Sequence, residues 1–96
     1  MQELLLSVDY GQMWPLNDIM ASWDGERPDW DTLITPELKK RLREWALFFD
    51  EFGNDETGLF GSEERRRWFD LEAVGLFNEL RRQVGHLYDV KIDLWF

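Results

Sequence analysis

The chain opens on an alternation. Over residues 3–10, Leu4, Leu6, Val8 and Tyr10 fall on one face and Leu5, Ser7 and Asp9 on the other. That period of two marks a strand with one buried face, and Gly11 offers its stop. At the far end, Tyr88, Val90, Ile92, Leu94 and Phe96 alternate with Asp89, Lys91, Asp93 and Trp95, predicting a second strand over residues 87–96.

Between these strands the apolar period lengthens to three and four. Leu38, Leu42, Trp45, Phe49 and Phe52 form one helical stripe, widened by Leu47 and Phe48. Its start is written in Thr35-Pro36-Glu37: a hydroxyl to cap free N–H groups, a proline where no N–H is needed, and a carboxylate in the first turn. Gly53-Asn54 ends it. The segment GNDETGLFG then reads as a turn, and Ser62 caps a second helix with Glu63 and Glu64 in its first turn. Its buried stripe is Trp68 or Phe69, then Ala73, Leu76, Leu80 and Val84. Gly75 sits mid-helix, at a cost of about 1 kcal/mol relative to alanine, which close packing against the first helix would justify. Arg81 and Arg82 suit the negative helix end, and Gly85 stops it.

Residues 11–34 show neither period. Pro15, Pro28 and Asp24-Gly25 punctuate them. A short helical turn is expected at residues 17–23, capped by Asn17 or Asp18, and Trp14, Trp23 and Trp30 should anchor part of the segment on the core. The element order is therefore β-loop-α-α-β, a single α+β domain in which an antiparallel helix hairpin packs on a small sheet containing the N- and C-terminal strands. Two strands make a narrow sheet with exposed edges. Either the long loop adds a strand or cap, or two chains pair edge to edge as a homodimer.

Composition narrows the function classes. The chain has 96 residues, 15 of them Phe, Trp or Tyr, and no cysteine, so it is folded and carries neither disulfides nor thiolate chemistry. No basic segment followed by an apolar run opens it, and no window approaches a membrane span, so the expected location is cytoplasmic. A net charge of -9 argues against nucleic acid and anionic membrane as partners and favours a basic protein surface. The charge is segregated: residues 1–35 hold seven carboxylates against a single base, Arg27. Bases cluster at residues 39–43, 65–67 and 81–82, where Lys40–Glu44 and Arg66–Asp70 have ion-pair spacing on a helix.

The catalytic inventory is thin. His86 is the sole histidine and lies at the helix–strand junction. None of Ser7, Ser22 and Ser62 sits in a nucleophile motif. Asp50, Asn54, Asp55 and Glu56 lack the ligand order of a calcium loop, and the glycines near Gly58 lack the context of a phosphate cradle. No enzyme activity, metal or cofactor is expected; the small metal-dependent enzyme is the least favoured alternative. What remains is Trp23, Asp24, Glu26, Asp29, Trp30 and Asp31, a stretch mixing rings that anchor with carboxylates that orient a basic surface. These six are the candidate partner-binding residues.

The start LLSVDYG…WPL, the segment DWDTLITPELKKRLREWALFFDEF and the later ETGLFGSEERRRWFDLEAVGLFNELRRQVG resemble small, uncharacterised acidic proteins of bacteria, especially actinobacteria. Some proteins of this kind look like immunity proteins. The resemblance implies a non-enzymatic domain that binds and neutralises a cognate toxin; the alternative, drawn from the exposed strand edges, is a structural or regulatory homo-oligomer.

Overall fold

Strand β1, Glu3–Leu6, pairs in parallel with β2, Asp89–Ile92, with Leu4 opposite Val90 and Leu6 opposite Ile92. This computed structural model describes residues 1–53 and 60–94. The expected turn over residues 54–59, with Asn54, Asp55 and Glu56, and the end of the terminal strand at Trp95 and Phe96 lie outside the described residues.

Three helices follow β1 in sequence: α1, Trp30–Leu33; α2, Pro36–Phe52; and α3, Glu63–Val84. Both long helices start where local chemistry places them. Thr35 accepts the Leu38 N–H, and Ser62 accepts the Arg65 N–H, each satisfying one otherwise orphaned donor. The hairpin is antiparallel. The Thr35 N–H at the start of α2 donates to Gln83 near the end of α3 at 2.9 Å. Further along, Trp45 stacks on Phe69 at 4.6 Å and donates its indole N–H to the Phe69 carbonyl at 3.1 Å. The order β-loop-α-α-β and the helix hairpin on a two-stranded sheet are as the pattern predicts, with the short α1 added.

The core lies between the sheet and the hairpin. Leu4, Leu6 and Val8 meet Leu42, Phe49, Phe69, Leu76 and Leu80, all essentially without solvent access. The α3 stripe resolves in favour of Phe69, while Trp68 lies half exposed against Phe48 at 4.5 Å. Phe60 drives its ring into the same core from a left-handed backbone at φ 69°. That conformation is costly for a bulky residue, and it is held by its N–H donating to Phe52 and its carbonyl accepting from Arg65. Gly75 lies beneath the Arg41–Glu72 ion pair: a Cβ there would stand 3.1 Å from the Arg41 guanidinium. The close approach is thus to a side chain of α2.

The terminal strands are shorter than their alternation. Pairing stops at Leu6, and by Gly11 (φ 76°) the backbone has turned away. Tyr10 leaves the strand face, sets its ring 5.2 Å from Phe49 and donates its hydroxyl to the Gly53 carbonyl. Ile92, expected on the same buried face as Val90, is more than a third exposed.

The long loop caps β1. Leu6 bridges antiparallel to Leu16, and the Ser7 N–H donates to the Pro15 carbonyl. Asn17 completes this edge with its side chain, accepting the Leu5 N–H at 2.8 Å and donating to the Glu3 carbonyl at 3.2 Å. A side-chain amide thereby imitates a strand residue and satisfies the edge that would otherwise be open.

Candidate functional site

The expected helical turn is a single 3-10 turn, Asn17–Ile19, preceded by Leu16 and without a side-chain cap. Neither proposed capping residue caps it. Asn17 serves β1, and Asp18 is buried. A buried carboxylate is tolerated only where donors surround it, and four bonds do so. Trp14 donates its indole N–H to Oδ1 at 2.8 Å, Trp30 donates to Oδ2 at 3.1 Å, and Arg27 donates from Nε and Nη2 to Oδ2, each at 3.2 Å. One side chain thus ties together positions 14, 27 and 30 of an otherwise irregular segment.

The outer part of the loop is anchored by rings. Trp23 lies 5.9 Å from Tyr88, and Trp30 lies 6.3 Å from the same ring. The Trp23 indole N–H donates to the Glu26 carbonyl at 3.1 Å. Gln2, with its amide oriented to satisfy both groups, pairs with the backbone N–H and carbonyl of Asp24. The tryptophans therefore fix the loop to the fold.

The six sequence-selected residues occupy three environments. Trp30 is buried, with 7% of its surface exposed, and Trp23 is half buried. Asp24, Glu26 and Asp29 are exposed, and among the described residues their carboxylates join no ion pair. Asp31 is exposed but pairs with Lys39, whose ammonium holds that carboxyl below the usual range, with a smaller contribution from Arg43. Of these four carboxylates, one is compensated and three have no ion-pair partner among the described residues.

Beside them lies an open cleft of about 520 Å³ that sequence reading did not find. Trp14, Trp30 and Pro28 line it with Arg27, Lys39 and Arg43, and Met13, Asp29 and Asp31 also border it. It brings Arg27 from the loop next to cations one helical turn apart on α2. A signal was present: Arg27 is the lone base of the first 35 residues. His86 is exposed at the junction after α3. Among the described residues no three His, Cys, Asp or Glu side chains cluster as a metal site, and no helix is long and apolar enough to cross a membrane.

No curated protein and no solved structure matches the chain. A family model described as Serratia CdiI immunity protein-like matches residues 2–92. With nearly the whole chain covered, from the residue before β1 to the last residue of β2, the protein belongs to the Serratia CdiI immunity protein-like family.

Proposed function

We propose that this protein is a non-catalytic immunity-type domain that binds a basic toxin and neutralises it by covering its working surface. The observation that carries this reading is the loop over residues 23–31. Asp24, Glu26 and Asp29 present carboxylates that form no ion pair among the described residues, on a backbone already fixed through Trp23, Trp30 and Asp18. Pre-ordering matters because ordering a mobile loop on binding would consume interaction energy. Unpaired charge matters because a carboxylate already matched by its own protein has less to gain from a partner. Trp23, half buried at the edge of this surface, supplies an apolar anchor beside the charges.

The net charge of -9 extends the effect beyond contact range, attracting a cationic partner and raising its association rate at low salt. Family membership supports a toxin as the partner, and the acidic loop supports a basic surface on it. The test is to recover tagged protein from the cells that make it, at low and high salt, and to identify what it retains. A stoichiometric basic protein whose toxicity is suppressed by this chain is the expected result. Recovery of the chain alone at both salts would remove the reading.

A further inference from the structure

The cleft beside the acidic loop has the opposite chemistry from the protein as a whole. Of its lining groups, Arg43 is exposed and, among the described residues, takes part in no direct ion pair or hydrogen bond. It also borders the adjoining depression along α2, of about 290 Å³, with Trp30, Ile34 and Lys40. Arg27 is bound to Asp18 through Nε and Nη2, while its Nη1 makes no hydrogen bond among the described residues, and 64% of its side chain is open to solvent. The buried Asp18 carboxylate therefore fixes a guanidinium at the cleft in a set orientation. Trp14, half buried, and the small exposed part of Trp30, with ring centroids 6.0 Å apart, add apolar surface to the cleft lining.

We infer that this cleft receives a carboxylate side chain of the bound partner, carried next to an apolar side chain that packs on Trp14 and Trp30. Charge complementarity selects the occupant. Arg27 and Arg43 are forked donors suited to planar oxyanions, while Asp29 and Asp31 border the cleft and the protein is strongly acidic. That field disfavours a multiply charged phosphate more than a single carboxylate. The aromatic surface favours an anion on an apolar carrier. The inference deepens the immunity-type reading and rests on it for the source of the carboxylate: a partner with a basic surface facing residues 24–29 and one acidic group inserted beside it. Such a reversed pair of charges fixes register and rejects partners that are merely basic.

The test uses the intact protein and a defined probe, terminally blocked phenylalanyl-glutamate, followed by NMR at the tryptophan indole N–H signals. The Trp14 and Trp30 signals report directly, because both rings line the cleft and both indoles donate to the buried Asp18 behind it. Saturable shifts of these two signals are expected, with binding about tenfold weaker for the glutamine analogue and for Arg43→Gln, and a smaller loss in Arg43→Lys, which keeps the charge but not the fork. An unchanged far-ultraviolet circular dichroism spectrum would confirm that the variants are folded. Equal binding of the glutamine peptide, equal binding by folded Arg43→Gln, absence of a saturable shift, or tighter binding of inorganic phosphate would each overturn the assignment. Failure here with a toxin still recovered would leave the immunity-type reading standing; peptide binding with no toxin recovered would do the reverse.

Discussion

The indole of Trp30 donates to the buried carboxylate of Asp18 across twelve residues, at 3.1 Å. Arg27 donates to the same oxygen and Trp14 to the other one, so the order of the loop passes through one residue. Replacing it with alanine leaves the Trp30 indole N–H buried without an acceptor, while Arg27 can turn to solvent. Asp18→Ala should cost about 2–3 kcal/mol. Asp18→Asn, which keeps one oxygen acceptor, should cost less. Urea unfolding followed by tryptophan fluorescence measures both, and an alanine variant as stable as the wild type would contradict the role given to Asp18.

The two helix caps should behave alike, because each hydroxyl satisfies one N–H and neither is buried. Thr35→Ala and Ser62→Ala are each expected to destabilise by about 1 kcal/mol. The Thr35 loss should be the larger, since Gln83 also donates to its hydroxyl across the hairpin. Thermal unfolding of the two single variants and the double variant tests this, with near-additive effects expected for separated sites.

Gly75 carries the opposite expectation. An added Cβ would meet only the movable end of Arg41 and the Glu72 carboxylate, while alanine removes the helix penalty of glycine. Gly75→Ala should therefore stabilise the protein by about 0.5 kcal/mol, part of the full propensity difference. A loss of stability would show that the Arg41–Glu72 pair cannot shift.

Acid should weaken the end of α3 through Glu79. Arg82 and Gln83 hydrogen-bond its carboxylate and lower its pKa to about 2, from an ordinary 4.5. The carboxyl thus binds a proton more readily in the unfolded chain. Its stabilising contribution is complete above about pH 4.5 and is lost as pH falls toward 2. Glu79→Gln should flatten the fall in stability over that window, and Glu79 lies at the surface, so the effect should shrink in high salt. An identical acid profile in wild type and variant would exclude the contribution.

How much of this was written in the sequence depends on the range of the determining contacts. The starts of α2 and α3 were legible because Thr35 and Ser62 act on backbone three residues away. The surface pairs Lys40–Glu44 and Arg66–Asp70 were legible for the same reason. The choice of Phe69 over Trp68 was not, because helix rotation against Trp45 decides it. Tyr10 has the sequence parity of Leu4, Leu6 and Val8 but lies outside the strand, since pairing ends at Leu6 and the backbone turns at Gly11. Asp18 looked like a cap because its donors lie four residues before it and nine and twelve after it. The acidic loop was visible as composition; the cationic cleft beside it required α2 to be laid against the loop.

The central claim is that the carboxylates of the 23–31 loop bind a basic toxin. The direct measurement is titration calorimetry of the recovered partner against wild type and the folded variant carrying Asp24→Asn, Glu26→Gln and Asp29→Asn. These three carboxylates have no internal ion pair among the described residues, so their neutralisation should leave the fold intact. Affinity is predicted to fall by about 10- to 100-fold at low salt, with a smaller loss at high salt where the wild-type attraction is itself screened. Equal affinity of the two proteins at low salt would contradict the account and move the binding surface elsewhere on the molecule.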